Sequence, residues 1–331
     1  MKSILARIAL AAILGLAACS PKPAEAPKPP VAANVALGEA RQNGSTWLEL
    51  GTQSGPIPSG RRSEPAHMLL WKDQVVLIDC GDGCSEQMAK AGVSIADVQT
   101  VVISHLHFDH TGGLFAFLAL RYQGAGPLAK PLTIYGPPGI KAMVQSMRSA
   151  MLNGGALYQS PVPDYTIVEL SDGARFDLGD LKVTAVANSH YGEWNGKGVK
   201  PVSLSYRFDM PGRSIVYTGD TGPSDKVEAL AQGADLLVTE IMDADTAIAQ
   251  IKKRYPKMPP FVLPFLKGHF TKEHMLADQI GLTASKAGVK SVLLTHFGGD
   301  DGTQAQMDRL RKGVAANYGG PVQFAKDLDR Y

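Results

Sequence analysis

Short apolar runs, many of them ending in Gly, Asp, Glu or His, recur between residues 46 and 297. Runs rich in Val, Ile and Leu that are too short for helices predict buried strands, and apolar residues three and four apart predict helices. The predicted strands are TWLELG, HMLLW, DQVVLIDCGDG, VQTVVIS, PLTIYGPPG, DLKVTAVANSH, VSLSYRFDM, SIVYTGD, DLLVTE and VKSVLLTHF. The predicted helices are SEQMAKAGV, IKAMVQSMRSAM, KVEALAQGA and HMLADQIGLTASKAG. Strands and helices alternate in both halves, which indicates an α/β fold.

Most side chains of chemical interest directly follow these predicted strands. They are His105 and His107 after VQTVVIS, then His190, Asp220, Glu240 and His296. A ligand at the end of a buried strand has rigid support, and sites in open α/β folds are usually assembled at strand ends. The pattern therefore predicts one site built from both halves of the chain.

The segment HLHFDH concentrates metal-binding side chains. The chain has eight histidines, and His105, His107 and His110 lie within six residues together with Asp109. Imidazole and carboxylate groups are typical zinc ligands. Four such groups on one short loop need not all bind one ion, and dividing them into two pairs gives a two-metal site that requires further ligands from elsewhere. The candidates for the remaining ligands are His190, Asp220 and His296.

The amino terminus is typical of a bacterial export signal. Lys2 and Arg7 precede and flank an apolar run over residues 8–16, and LAAC follows, which resembles a lipobox with Cys19 as the lipidated residue. The alternative is an ordinary signal peptide with an unrelated cysteine. We therefore expect a signal over residues 1–18, a Pro/Ala-rich tether over 19–34 and one large domain over 35–331. Ser20 after the cysteine favours the periplasmic side of the outer membrane.

The charge balance gives no reason to expect a nucleic-acid partner. The chain carries a formal charge of +2, and loss of Lys2 and Arg7 with the signal brings it close to neutrality. We interpret the KKRYPK run at residues 252–257 as a solvated face. The two cysteines that follow Cys19 are Cys80 and Cys84, and they form a disulfide or stay reduced and buried. A metal-thiolate pair is less favoured because there is no second cysteine pair.

HLHFDH resembles the H-x-H-x-D-H motif of the metallo-β-lactamase superfamily, and VVLIDCGDG resembles its earlier strand-turn motif. The resemblance covers roughly residues 46–299 and implies a four-layer αβ/βα sandwich with two Zn²⁺ ions per chain, Mn²⁺ and Fe²⁺ being alternatives. It implies a first metal held by His105, His107 and His190, a second held by Asp109, His110 and His296, and Asp220 as the bridge between them. Asp79 matches an acid that orients the ligand loop, whereas Ser104 shapes that loop.

Three further stretches, LGTQSGPIP, IDCGDGCSEQMAKAGV and IYGPPG, resemble the ribonuclease Z and arylsulfatase-like branch. In that branch a glutamate after a strand pairs with a histidine that acts as general acid. Glu240 matches the glutamate, and His274 matches the histidine at the head of a helix, with His269 in GHFT as the alternative. Tyr158, Gln159, Tyr191 and Trp194 are predicted to line the pocket from loops. We expect His67, which lies outside every motif, to be structural or to line the pocket.

The resemblance implies a metal-dependent ester hydrolase in which a metal-bound hydroxide attacks a small-molecule ester. Asp109, Glu240 and His274 are its expected catalytic residues, and a phosphodiester or aryl sulfate is its expected substrate. The alternatives are lactone, carboxylic ester or thioester hydrolysis. A β-lactamase is less favoured because lactam-cleaving branches generally lack a bridging acid such as Asp220. A non-catalytic metal-binding lipoprotein is also less favoured because such a protein has no need of a general acid.

We predict that Cys19→Ser releases the protein from membranes and leaves its fold intact, because Cys19 lies in the tether and not in the core. The measurement is membrane fractionation of cells that express each form, with circular dichroism of the purified proteins as the control for folding. Membrane partitioning by the variant after signal cleavage would show that another anchor exists.

Overall fold

The computed structural model describes residues 44–153, 165–192, 198 and 200–331. The expected signal and tether, with Cys19, lie outside the described residues, as do Tyr158, Gln159 and Trp194. Two β-sheets face each other, and helices cover their outer faces. The four-layer αβ/βα sandwich expected from the sequence is therefore confirmed.

The first sheet is built by the amino-terminal half and has the order β1-β2-β3-β4-β5-β6. Its strands are β1 (Ser45–Gly51), β2 (Ala66–Trp71), β3 (Gln74–Cys80), β4 (Thr100–Val102), β5 (Thr133–Gly136) and β6 (Thr166–Glu169). β1, β2 and β3 are antiparallel, whereas β3 to β6 are parallel. The carboxyl ends of the parallel strands lie on the same side of the sheet, and the histidine-rich loop follows β4 on this side.

The second sheet has the order β13-β12-β11-β10-β9-β8-β7. Its strands are β7 (Arg175–Leu178), β8 (Leu181–Ala187), β9 (Leu204–Met210), β10 (Arg213–Tyr217), β11 (Leu236–Met242), β12 (Val292–Gly298) and β13 (Val322–Phe324). β7 to β10 are antiparallel, and β10 to β13 are parallel. β8, β10, β11 and β12 consequently run in the same direction and end at the same edge.

The helices cover the outer faces of the two sheets. They are α1 (Cys84–Lys90), α2 (Phe108–Thr111), α3 (Leu114–Ala125), α4 (Ile140–Asn153), α5 (Asp225–Leu230), α6 (Ala244–Arg254), α7 (Val262–Lys272), α8 (Ala277–Ala287) and α9 (Gln304–Ala315), with a 3₁₀ turn at Gly126–Leu128. Within the described residues, no helix combines the length and the apolar character that crossing a bilayer requires.

Alternate residues of a single strand pack into two different hydrophobic cores. In β3, Val75 and Leu77 pack against the helices of the first half, while Val76 and Ile78 face the second sheet. Side chains of a strand point alternately to the two faces of its sheet, so a strand covered on both faces reads as a continuous apolar run. The central core between the sheets includes Trp47 and Tyr206, both fully buried.

Several elements escape the sequence reading. They are β6, β7, β13, α2, α3, α6, α7 and α9. β6 and β7 are sheet-edge strands with exposed or half-buried residues, and so they lack the apolar run of a central strand. The predicted helix that included His274 begins only at Ala277, so that His274 lies in the connection before it. Cys80 and Cys84 form a disulfide with Cα atoms 5.5 Å apart, in the core of the first half.

Substitution by alanine is expected to have opposite effects on stability at two glycines that lie in helices. A Cβ on Gly281 in α8 would lie 2.3 Å from the Val314 carbonyl oxygen of α9, whereas a Cβ on Gly268 in α7 meets no atom within 4 Å. We expect Gly281→Ala to destabilise the fold by about 1–3 kcal/mol through overpacking. Gly268→Ala should stabilise it by about 0.5–1 kcal/mol through helix propensity. Urea unfolding measures both, and a stabilised Gly281→Ala variant would contradict the close helix packing.

Candidate metal centre

Strand ends from both sheets converge on one cluster of imidazoles and carboxylates. β4 leads to His105, and α2 carries Asp109 and His110, while the second sheet contributes side chains at the ends of four strands. The structure brings together all seven residues expected to hold metals, in two adjacent groups. The first group is His105, His107 and His190, and the second is Asp109, His110, Asp220 and His296.

In the first group, three ring nitrogens point at one space. His107 Nδ1 is 3.0 Å from His105 Nε2 and 3.2 Å from His190 Nε2. His190 Nδ1 donates to the backbone carbonyl oxygen of Glu273 at 3.0 Å, which leaves a lone pair on Nε2. Three imidazole nitrogens that converge in this way form a donor set suited to a metal ion.

The second group places carboxylate oxygens between imidazoles. His296 Nε2 is 3.3 Å from both Asp109 Oδ2 and Asp220 Oδ1. His110 Nε2 lies 3.3 Å from Asp220 Oδ1 and 3.3 Å from His296 Nε2. Its other nitrogen, Nδ1, is 2.8 Å from Asp79 Oδ2. Oxygen and nitrogen donors at these separations suit a borderline divalent ion such as zinc.

Asp220 lies between the two groups. Its Oδ1 faces His110 and His296, and its Oδ2 is 3.9 Å from His105 Nε2. Asp220 Oδ1 is buried without a hydrogen-bond partner. A buried carboxylate oxygen without a partner is costly, and a cation at this position would satisfy it. The donor set and this unpaired oxygen both fit bound metal ions.

The electrostatics differ between the groups in the way that metal binding requires. Burial lowers the pKa of His105 well below its ordinary value and that of His190 to about 3, so both rings are neutral and offer lone pairs. Burial would also lower the pKa of His296, but Asp220 and Asp109 outweigh it and raise this pKa to about 9. The second group therefore has a negative potential that attracts cations.

Asp79 supports the ligand loop through hydrogen bonds. Its carboxylate accepts hydrogen bonds from Ser104 N at 2.7 Å, Ser104 Oγ at 2.7 Å and the Tyr217 hydroxyl at 2.7 Å, besides its contact with His110. Asp79 itself has a positive φ of 53°. Ser104 is thus held by Asp79, as expected for a residue that shapes the loop. Tyr217, buried in a strand between the sheets, was not singled out from the sequence.

A second buried acid supports the strand that presents His296. His296 has a φ of 44°, and the pairing of β11 with β12 shifts register at this residue. The hydroxyl of Thr295, its neighbour, donates to Glu49 Oε2 at 3.0 Å, and this carboxylate also contacts His67 Nδ1 at 2.7 Å. His67 is fully buried against the Trp47 ring, which gives it a structural role. In the sequence, Glu49 could have been recognised as an acidic residue within a predicted buried strand.

Glu240 is hydrogen-bonded to His274 rather than to His269. Glu240 Oε2 is 2.6 Å from His274 Nδ1, and Glu240 Oε1 accepts a hydrogen bond from Thr221 N at 2.6 Å. His274 Nε2 is 3.4 Å from His269 Nε2, and His269 Nδ1 is 2.7 Å from Glu273 Oε2. The structure therefore brings both candidate histidines to one place, each with its own carboxylate.

Burial determines the charge of the Glu240–His274 pair. Burial lowers the pKa of His274 to about 4. Burial, and after it the negative charge of Asp220, raises the pKa of Glu240 well above its ordinary value. Both shifts favour the uncharged forms of the two groups, and Glu240 Oε2 lies within hydrogen-bond distance of His274 Nδ1.

Two further side chains lie at this site. The Tyr191 ring is 5.3 Å from the His107 ring, so this residue lies beside the metal-binding cluster. Glu64 was not expected from the sequence, where no motif surrounds it. Its Oε2 is buried without a hydrogen-bond partner. Burial, and after it the charge of Asp109, raises the pKa of Glu64 to about 7.

Known proteins resemble this chain in sequence and in fold. A family model described as "Beta-lactamase superfamily domain" matches residues 74–297. Ribonuclease Z of Mycobacterium avium (strain 104) is 29% identical over 289 residues, which cover 85% of this chain and 95% of the relative. The metallo-beta-lactamase fold protein YhfI of Bacillus subtilis superposes with a TM-score of 0.64 at 20% identity, covering 87% of this chain and 98% of that one. Human tRNase Z, short form, superposes with a TM-score of 0.61 at 22% identity, covering 86% and 98%.

The matched family segment contains all seven clustered residues as well as Glu240 and His274. It also covers parts of both sheets, from β3 to most of β12. The chain belongs to the metallo-β-lactamase superfamily and is a metal-dependent hydrolase of ester bonds.

Proposed function

We propose that this protein uses two metal ions, zinc with Mn²⁺ or Fe²⁺ as alternatives, to hydrolyse a phosphodiester or an aryl sulfate ester. The observation that carries the proposal is the position of Asp220 between two groups of donors, with one carboxylate oxygen toward each. The first ion would be held by His105, His107 and His190, and the second by Asp109, His110 and His296, with Asp220 shared between them.

The bound metals would supply a water made nucleophilic near neutral pH and would stabilise negative charge that develops on the ester oxygens. The chain's own contribution is to hold the reacting groups and to handle the proton of the leaving group. Asp79 and Glu49 fix the two sides of the site through hydrogen bonds to the His110 ring and to Thr295. Partners of this kind, one layer behind the ligands, orient the ligands and tune metal affinity.

His274 is proposed as the general acid. Its Nδ1 is bound to Glu240, so Nε2 is the nitrogen that can donate to a leaving oxygen. When Nε2 gives up its proton, the carboxyl proton of Glu240 can pass to Nδ1, and the ring remains neutral throughout. This transfer leaves the negative charge on Glu240, beside the Thr221 N–H that already donates to it.

Of the two candidate esters, the names of the relatives favour a phosphodiester over an aryl sulfate. Several are named Ribonuclease Z, and one fold neighbour is a diphosphatase of the PhnP family. The name Ribonuclease Z also makes RNA a second candidate substrate, against the expectation from the chain's balanced charge that no nucleic acid is bound. A hydrolysis panel on zinc-loaded protein decides between phosphodiester, aryl sulfate, lactone, β-lactam and RNA substrates. Activity on lactones or β-lactams alone would refute the proposal.

We also propose that the enzyme works from the periplasmic side of the outer membrane, held there by lipidated Cys19. Support for this comes from the order of charged, apolar and small residues before Cys19 and from the Pro/Ala-rich stretch after it. The Cys19→Ser fractionation described above tests this placement.

We predict that Asp220→Ala lowers the metal content at both positions, because one carboxylate reaches both groups of donors. Metal analysis by mass spectrometry on protein purified without added zinc measures the change. Asp180→Ala is the matched control, since Asp180 is an exposed acid paired with Lys72. One ion per chain in the unsubstituted protein, or full loading of the Asp220→Ala variant, would contradict the two-metal assignment.

We predict that His274→Ala slows the cleavage of esters with poor leaving groups by about 10²–10⁴-fold and affects activated nitrophenyl esters far less. Glu240→Gln should show the same selectivity more weakly, because an amide can hold the ring but cannot supply a proton. Steady-state kinetics over leaving groups of graded pKa measure the effect, with metal content unchanged. Equal slowing of good and poor leaving groups would remove this role from His274, and the same selectivity in His269→Ala instead would assign it to His269.

A further inference from the structure

Helix α7 is apolar on two opposite faces, and within the described residues only one of them packs against other elements. Phe270 on the inner face packs against a small core formed by Met242, Ala244 and Ala247. The outer face presents Phe261, Pro264, Phe265 and Gly268, at the i, i+3, i+4 and i+7 positions of one helical stripe. Phe261 is 77% exposed and Phe265 is 75% exposed. A soluble helix normally places charged residues on such a face, so this stripe indicates a partner beyond the described residues.

The segment that carries this stripe is also the most cationic part of the chain. Residues 252–272 contain six basic residues and no acid, and all six are exposed. They are Lys252, Lys253, Arg254, Lys257, Lys267 and Lys272. The rest of the chain has 27 basic residues against 31 acids, so the balanced total conceals a strong local positive charge. Within the described residues, Lys267 is the one of the six with an ion pair, 3.5 Å from Asp245.

We propose that residues 252–272, called here the basic hairpin, form a docking surface for an anionic lipid bilayer. Exposed aromatic side chains beside Lys and Arg are typical of segments that lie in the membrane interface, with the apolar face at the boundary of the acyl chains. The cations then meet lipid phosphates, and each contributes through the negative surface potential. The earlier interpretation of the KKRYPK run as a merely solvated face gives no account of Phe261 and Phe265.

Charge favours a lipid surface over a second copy of the chain. A symmetric dimer through this face would bring the six basic residues of one copy toward the same six of the other. An anionic bilayer instead complements them while it covers the phenylalanines. No step of this argument depends on Cys19, and the hairpin would orient the enzyme on the membrane whether or not the amino terminus holds it there.

Docking through the basic hairpin would set the position of the active site. His269 belongs to α7, and its Nε2 is 3.4 Å from His274 Nε2. The outer stripe runs along the helix from Phe261 and Phe265 toward this histidine, four residues beyond Phe265. The side of the site assigned to the leaving group would therefore open close to the lipid headgroups.

A tryptophan reporter tests the proposal in the complete chain. In Phe265→Trp, vesicles containing phosphatidylglycerol should shift the added emission to shorter wavelength, and brominated lipids should quench it. Leu120→Trp is the matched control, an exposed apolar position on α3 in the other half of the molecule, and its emission should not respond. Adding Lys252→Gln and Lys253→Gln to the reporter should weaken docking by about tenfold or more, while the amino terminus is the same in both.

Different results separate the alternatives, and none of them requires enzymatic activity. Quenching in phosphatidylglycerol vesicles that falls at high salt supports docking on an anionic surface. Equal quenching in vesicles of phosphatidylcholine alone, or no quenching in either, would overturn the proposal. It would also be overturned if the emission shifted without vesicles as protein concentration rose, because this result identifies a second copy as the partner.

Discussion

The buried carboxylate of Asp220 is the constraint around which the site is organised. It has one oxygen near His110 and His296 and the other near His105, and Oδ1 makes no hydrogen bond within the described protein. Buried charges in proteins persist when they are paired or bind metals. The imidazoles that surround Asp220 come from both sheets, so the charge can be compensated only when the two halves face each other. The αβ/βα sandwich is the arrangement that brings their strand ends together.

Buried acids behind the metal-binding side chains support backbone segments that have unusual conformations. Asp79 and His296 both have positive φ, a region that non-glycine residues adopt at some cost. Asp79 is fixed by hydrogen bonds from Ser104 and Tyr217, and the strand beside His296 is fixed through Thr295 and Glu49. The strain is therefore located at the site and is offset by hydrogen bonds in the core behind it. Gly55 allows a close backbone approach to the site, because any Cβ there would collide with the Asp109 side chain.

The two sides of the metal centre have different characters. One side is lined by the histidine-rich loop, and the other carries two histidine–glutamate pairs whose Nε2 atoms meet at 3.4 Å. The Glu240–His274 pair is buried, which favours its uncharged forms, whereas the pair of His269 and Glu273 is partly exposed. Helix α7 links the exposed pair to the apolar and cationic hairpin. Chemistry and the proposed membrane contact thus share one structural element.

The sequence by itself determined the fold class and the chemical type of the site. Val75 to Ile78 read as a continuous apolar run because both faces of β3 are buried, and HLHFDH is specific because few loops place four metal-binding groups so close. Local patterns of this kind can be recognised in a single sequence, because the residues involved lie close together along the chain. Asp220 and His296 could be named because each ends an apolar strand.

Only the tertiary structure decided contacts between distant segments. Whether Glu240 pairs with His274 or with His269 depends on how the connection after α7 folds back, and residue spacing does not determine this. Glu49, Glu64 and Tyr217 left no motif, because their roles arise from neighbours far along the chain. The KKRYPK run looked like an ordinary solvated face until α7 placed exposed phenylalanines beside it. Periodicity reports which face of an element is apolar, whereas the partner of that face is a property of the assembled molecule.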